Sequence, residues 1–62
     1  MEAGTKVRFI YTTPHSEVSS SGRVVSYIEP DREDGERTGA YIVLDFDGKV
    51  EREVDERDVW LA

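Results

Sequence analysis

The single histidine, His15, is the first place to look for acid–base chemistry, because imidazole is the side chain that titrates near neutrality. It stands between Pro14 and Ser16, and no Gly-x-Ser-x-Gly elbow is present to present a serine nucleophile, so it reads as a solvated loop residue. Asp45 and Asp47 could exchange protons as a carboxylate pair. A strand end, however, offers no apolar pocket to raise a carboxyl pKa, so both are expected to shape a turn. The acidic run Asp31-Arg32-Glu33-Asp34-Gly35-Glu36 suggests calcium. An EF-hand loop needs glycine at its sixth place, and counting back from Gly35 puts Pro30 where the first aspartate belongs. The expectation is therefore a chain with no catalytic residue, no metal site and no cofactor, and hence not an enzyme.

Two other constellations suit binding. Tyr11, Tyr27, Tyr41 and Trp60 supply an aromatic surface, with Trp60 expected to face outward because its neighbours Val59 and Leu61 claim the inner face. Packing within a small core competes with binding for each of these rings. Lys6, Arg8 and Arg23 fall on the outer faces of the first two predicted strands and form an alternative basic patch. Arginines scattered among glutamates more often mark a solvated salt-bridge surface, and that is the reading of Arg32 and Arg37 beside Glu33, Asp34 and Glu36.

The chain that must position these residues has 62 residues, so residues 1–62 are read as a single domain without room for an enclosed substrate cavity. It has no cysteine, which excludes disulfides and thiolate metal sites. Its net charge of −6 argues against generic attraction to phosphate backbones. Six of the eight basic residues are arginine, and an acidic, lysine-poor balance resembles that of proteins from salt-loving archaea. No segment approaches the roughly 18 apolar residues of a membrane span, and no apolar leader follows the first six residues, so a cytoplasmic protein is expected.

Periodicity predicts an all-β chain. Residues 6–12 alternate, with Val7, Phe9 and Tyr11 on one face. Residues 13–21, with Pro14 and three consecutive serines, read as a long exposed loop. A second strand over 22–29 turns Val24, Ser26 and Ile28 one way, and the charged stretch 31–39 reads as a mobile acidic loop. Residues 40–46 form the strongest strand, with Ala40, Ile42, Leu44 and Phe46 assigned to the core and Tyr41, Val43 and Asp45 opposite. Asp47-Gly48 predicts a two-residue hairpin turn into a fourth strand over 49–54, which puts Val50, Arg52 and Val54 on one face. A 3₁₀ turn over 55–57 and a last strand over 58–62 complete five strands.

Five short strands with a helical turn before the last resemble an SH3-like barrel. Within that class, Gly22-Arg23-Val24 with Ile28 resembles the Gly-x-Val core of KOW modules, and the stretch from Tyr41 to Glu51 resembles the Tudor pattern Phe-x-Asp-x-Gly. The Tudor resemblance implies an aromatic cage for methylated lysine or arginine. Asp47 stands where that pattern often has tyrosine. The KOW resemblance implies RNA or a ribonucleoprotein partner. The leading expectation is a small noncatalytic module for protein or peptide partners, with a nucleic-acid module as the runner-up and homo-oligomerisation as a third reading. No membrane partner is expected.

Overall fold

The computed structural model describes residues 1–30 and 38–62. The expected acidic loop falls mostly on residues 31–37, outside the described residues, and so do Arg32 and Arg37. Five antiparallel strands form one sheet: β1 (Lys6–Thr12), β2 (Glu17–Ile28), β3 (Ala40–Asp45), β4 (Val50–Asp55) and β5 (Val59–Leu61), in the spatial order β4-β3-β2-β1-β5. A 3₁₀ turn, Glu56–Asp58, links β4 to β5, and the Asp55 side chain caps it by accepting from the Arg57 N–H.

That short link dictates the shape. β4 and β5 are the two edges, and a flat five-stranded sheet would hold its edges about 19 Å apart at roughly 4.8 Å per strand. The four steps from Asp55 to Val59 reach at most about 14 Å when extended, and less through a 3₁₀ turn. The sheet must therefore curl. Its edges do not pair with each other, so it remains an open curled sheet. Inside the curl lie Val7 and Phe9 of β1, Val24 of β2, Val43 of β3, Val54 of β4 and Val59 of β5, with Tyr11 and Tyr41 packed against them.

Three local expectations are corrected. Residues 13–21 are not a long loop. The chain reverses tightly between Thr12 and Glu17, where the Thr13 hydroxyl accepts from the Ser16 N–H at 3.1 Å and donates to the Ser16 carbonyl at 3.0 Å, and the three serines then continue β2. β2 carries a bulge, since its pairing with β3 shifts between Val24 and Ser26. The extra residue bends the strand and changes its phase, so Tyr27, not Ser26 or Ile28, pairs with inward-facing Tyr41. The β3–β4 connection is a four-residue turn over 46–49 in place of a two-residue one. Lys49 adopts φ 53° and its N–H donates to the Asp45 carbonyl at 2.7 Å, whereas Gly48 keeps a negative φ.

The fourth correction is the largest. β3 turns Tyr41, Val43 and Asp45 inward: Val43 is wholly buried, while Leu44 is 36% and Phe46 42% exposed. Both faces of this strand are apolar, so alternation alone could not choose between them, and a one-residue offset exchanges every side chain. Backbone contact helps set the phase. A Cβ on Gly22 would stand 2.0 Å from the Leu44 carbonyl oxygen, so only glycine lets β2 approach β3 here.

Candidate functional site

The most deeply buried polar side chain among the described residues is Asp45. Its carboxylate is 1% exposed at the end of β3. Oδ1 accepts from the Ser20 hydroxyl at 2.7 Å and from the Asp47 N–H at 3.0 Å, while Oδ2 accepts from Arg52 Nε at 2.8 Å. Burial alone would push this carboxyl up. The bonds from Ser20, Arg52 and the Asp47 and Gly48 backbone outweigh it and hold the pKa down at about 2. Arg52 in turn lies over the Tyr11 ring, 4.0 Å from its centroid. Strands β1 to β4 are thereby tied through one chain of contacts from Tyr11 to Arg52, Asp45 and Ser20.

A serine bonded to a carboxylate invites a nucleophilic reading, and the chemistry opposes it. A base with a pKa of about 2 is too weak to take a hydroxyl proton near neutrality, and Ser20 is buried. His15 lies exposed in the β1–β2 turn, on a segment separate from this cluster. Asp45 was expected only to shape a turn; the structure makes it the polar centre of the inner face as well. The sequence carried no separate signal for this, because alternation put Asp45 with Tyr41 and Val43 on the face opposite the core, where a carboxylate needs no partner.

The four aromatic residues separate into three places. Tyr27 and Tyr41 pack on each other at one end of the inner face, with ring centroids 4.8 Å apart. The Tyr27 hydroxyl donates to Glu56 Oε2 at 2.7 Å, a bond that raises its pKa to about 12. The terminal amino group of Met1 donates to the Tyr41 hydroxyl at 2.7 Å. Tyr11 stands elsewhere on the inner face, 6.1 Å from Phe9, with one face already covered by Arg52. Trp60 is on the outer face, opposite Arg8, and 41% exposed. These rings do not converge on one space, so the aromatic surface is divided.

The basic residues do assemble. Lys6 pairs directly opposite Arg23 across β1 and β2, and Arg8 lies two residues along β1 beside Trp60. All three are exposed, and the ion pairs among the described residues, Arg52 with Asp45 and Arg57 with Asp55, involve none of them. The outer face continues through Ile42 and Leu44 on β3 to Glu53 and Glu51 on β4. Phe46 closes its lower end, with the Arg23 guanidinium 6.0 Å from the ring centroid. Sequence reasoning assigned Ile42, Leu44 and Phe46 to the core and so missed this apolar row.

Among the described residues no cluster of three or more His, Asp or Glu is arranged to hold a metal ion, and no helix is long and apolar enough to cross a membrane. Comparison with protein-family models, with curated proteins and with solved structures finds no match to this chain.

Proposed function

We propose that this chain is a small noncatalytic binding module of the SH3-like class that engages a protein partner through the outer face of its sheet. The observation that carries the reading is the exposure of Leu44, Phe46 and Trp60 across that face, with Ile42 half-buried beside them, while the smaller Val43 takes the core. A solitary domain gains by burying its larger apolar side chains, and a partner recovers the loss. The strand order, the bulged β2 shared by both ends of the curl and the 3₁₀ return to β5 support the SH3-like reading. The acidic, arginine-biased composition supports a high-salt cytoplasm, where apolar contacts keep their strength as charges are screened.

A KOW-like nucleic-acid role is the second reading, favoured by the cluster of Lys6, Arg8 and Arg23 beside Trp60. The sole tryptophan stands on the face in question and serves as its reporter. Titration of the protein with single-stranded RNA and with a peptide library, followed by Trp60 emission, separates the two. A response to peptides that survives molar KCl supports the leading reading. RNA binding with a log–log salt slope near −0.7 per contact, abolished by Arg8→Glu, replaces it with the second.

A further inference from the structure

The outer face is polarised as well as apolar. One row of directly paired residues crosses four strands in the order Lys6, Arg23, Leu44, Glu51, running from two cations through a central leucine to a carboxylate. The neighbouring row runs Ser26, Ile42, Glu53. Arg23 and Glu51 flank Leu44 on the strands to either side of it, two strand spacings or about 10 Å apart, and no ion pair joins them within the chain. Lys6 and Arg23 are like charges directly opposite each other, an arrangement that costs stability in an isolated sheet. No other segment among the described residues supplies a counter-charge to either.

Such a row is complementary to itself. We infer that the partner of this face is a second copy of the chain, stacked face to face about a two-fold axis that lies between the sheets and runs along β3. The inference rests on the protein-binding reading of the outer face. Rotation about that axis lays Leu44 on Leu44 and Ile42 on Ile42, and carries β2 of each copy over β4 of the other. Arg23 of one copy then meets Glu51 of its partner, and the same contact recurs by symmetry. A two-fold axis perpendicular to the strands would stack Arg23 on Arg23 and Glu51 on Glu51, so charge selects one of the two simple alignments. The sheet is curled with its core inside, so the outer face is convex. Contact is confined to β2, β3 and β4, which leaves Arg8 and Trp60 outside the interface.

Sedimentation equilibrium of the whole chain tests this. The wild type should show a monomer–dimer equilibrium. Arg23→Glu and Glu51→Arg should each raise the dissociation constant by at least about tenfold, since either places like charges together twice. An equimolar mixture of the two variants should regain the dimer, because every contact in that heterodimer is again between opposite charges. Lys49→Glu, which changes net charge as Arg23→Glu does but lies on the β3–β4 turn, should leave association intact. Circular dichroism should report the same β spectrum for every variant, as both residues are exposed. A wild type that stays monomeric to millimolar concentration, or a mixture that fails to re-associate, overturns the inference. Trp60 lies outside this interface, so its response to peptides judges the broader reading separately.

Discussion

Asp45→Asn should remove a distinct share of the acid sensitivity of this fold. The carboxyl has a folded pKa of about 2 against an ordinary value of 3.8, so folding favours its ionised form. A depressed pKa contributes stability that is fully present above the unfolded value and lost as pH falls through the folded one. The window is therefore about pH 4 to pH 2. At roughly 1.4 kcal/mol per unit the contribution is about 2 kcal/mol, a large share of what a domain of this size commands. Asp55 is also held at about 2, chiefly by its bond to the Arg57 side chain, and titrates in the same direction. It is more exposed, so the charge of Asp45 is isolated by comparing variants and not by the acid limb of one curve.

The assay is urea unfolding at a series of pH values for the wild type and Asp45→Asn. At neutral pH the variant should be less stable by about 3 kcal/mol, because the amide loses the charge-assisted bond from Arg52 and leaves that guanidinium without its counter-charge. Between pH 4 and pH 2 the wild type should lose about 2 kcal/mol more than the variant, so the two curves converge. Parallel curves would refute the reasoning, since they would mean that Asp45 has no depressed pKa and that the contacts among Ser20, Asp45 and Arg52 do not set it.

On β3, Val43→Ala should cost about 2 to 3 kcal/mol, from two buried methyl groups and the cavity they leave, while Leu44→Ala should cost under about 1 kcal/mol when measured at low concentration. The reverse order in denaturant melts would return the strand to the phase its hydrophobicity suggests. Salt should raise the thermal midpoint, because Glu51 and Glu53 project from the same face of β4 in a chain of net charge −6. A midpoint that is flat from low to molar KCl would remove the support for a high-salt setting.

Elements whose two faces differ were legible. β1 alternates cleanly, and Val7 and Phe9 are buried as its pattern requires. On β4, Arg52 and Val54 turn inward as expected, although Val50 at its start is exposed. The 3₁₀ turn lies within one residue of its expected place because Asp55 can cap it. Serines 19–21 were misread because their low strand propensity was weighed without a partner, and Ser20 enters the sheet by satisfying Asp45. The bulge left no local trace, since it depends on how β2 bends to follow two neighbours. For that reason alternation along β2 put Tyr27 on the face opposite Val24, whereas the bulge pairs it with inward-facing Tyr41.

The misreading of β3 is informative in itself. Judged by hydrophobicity, Ala40, Ile42, Leu44 and Phe46 should face the core, and they face out. Four specific interactions hold the opposite phase: the bonds to Asp45 from Ser20, from Arg52 and from the Asp47 N–H, and the close approach of Gly22 to the Leu44 carbonyl. A core built around Leu44 could dispense with all four. Reversing the strand would bury Leu44 and Ile42 but would carry Asp45 out to solvent, break its ion pair and expose Val43. In a lone domain these two sets of terms oppose one another, which is the kind of conflict between local and global preference that accumulates at sites retained for function. A partner seated on the outer face removes the conflict, because the apolar row is then buried without giving up the Asp45 cluster.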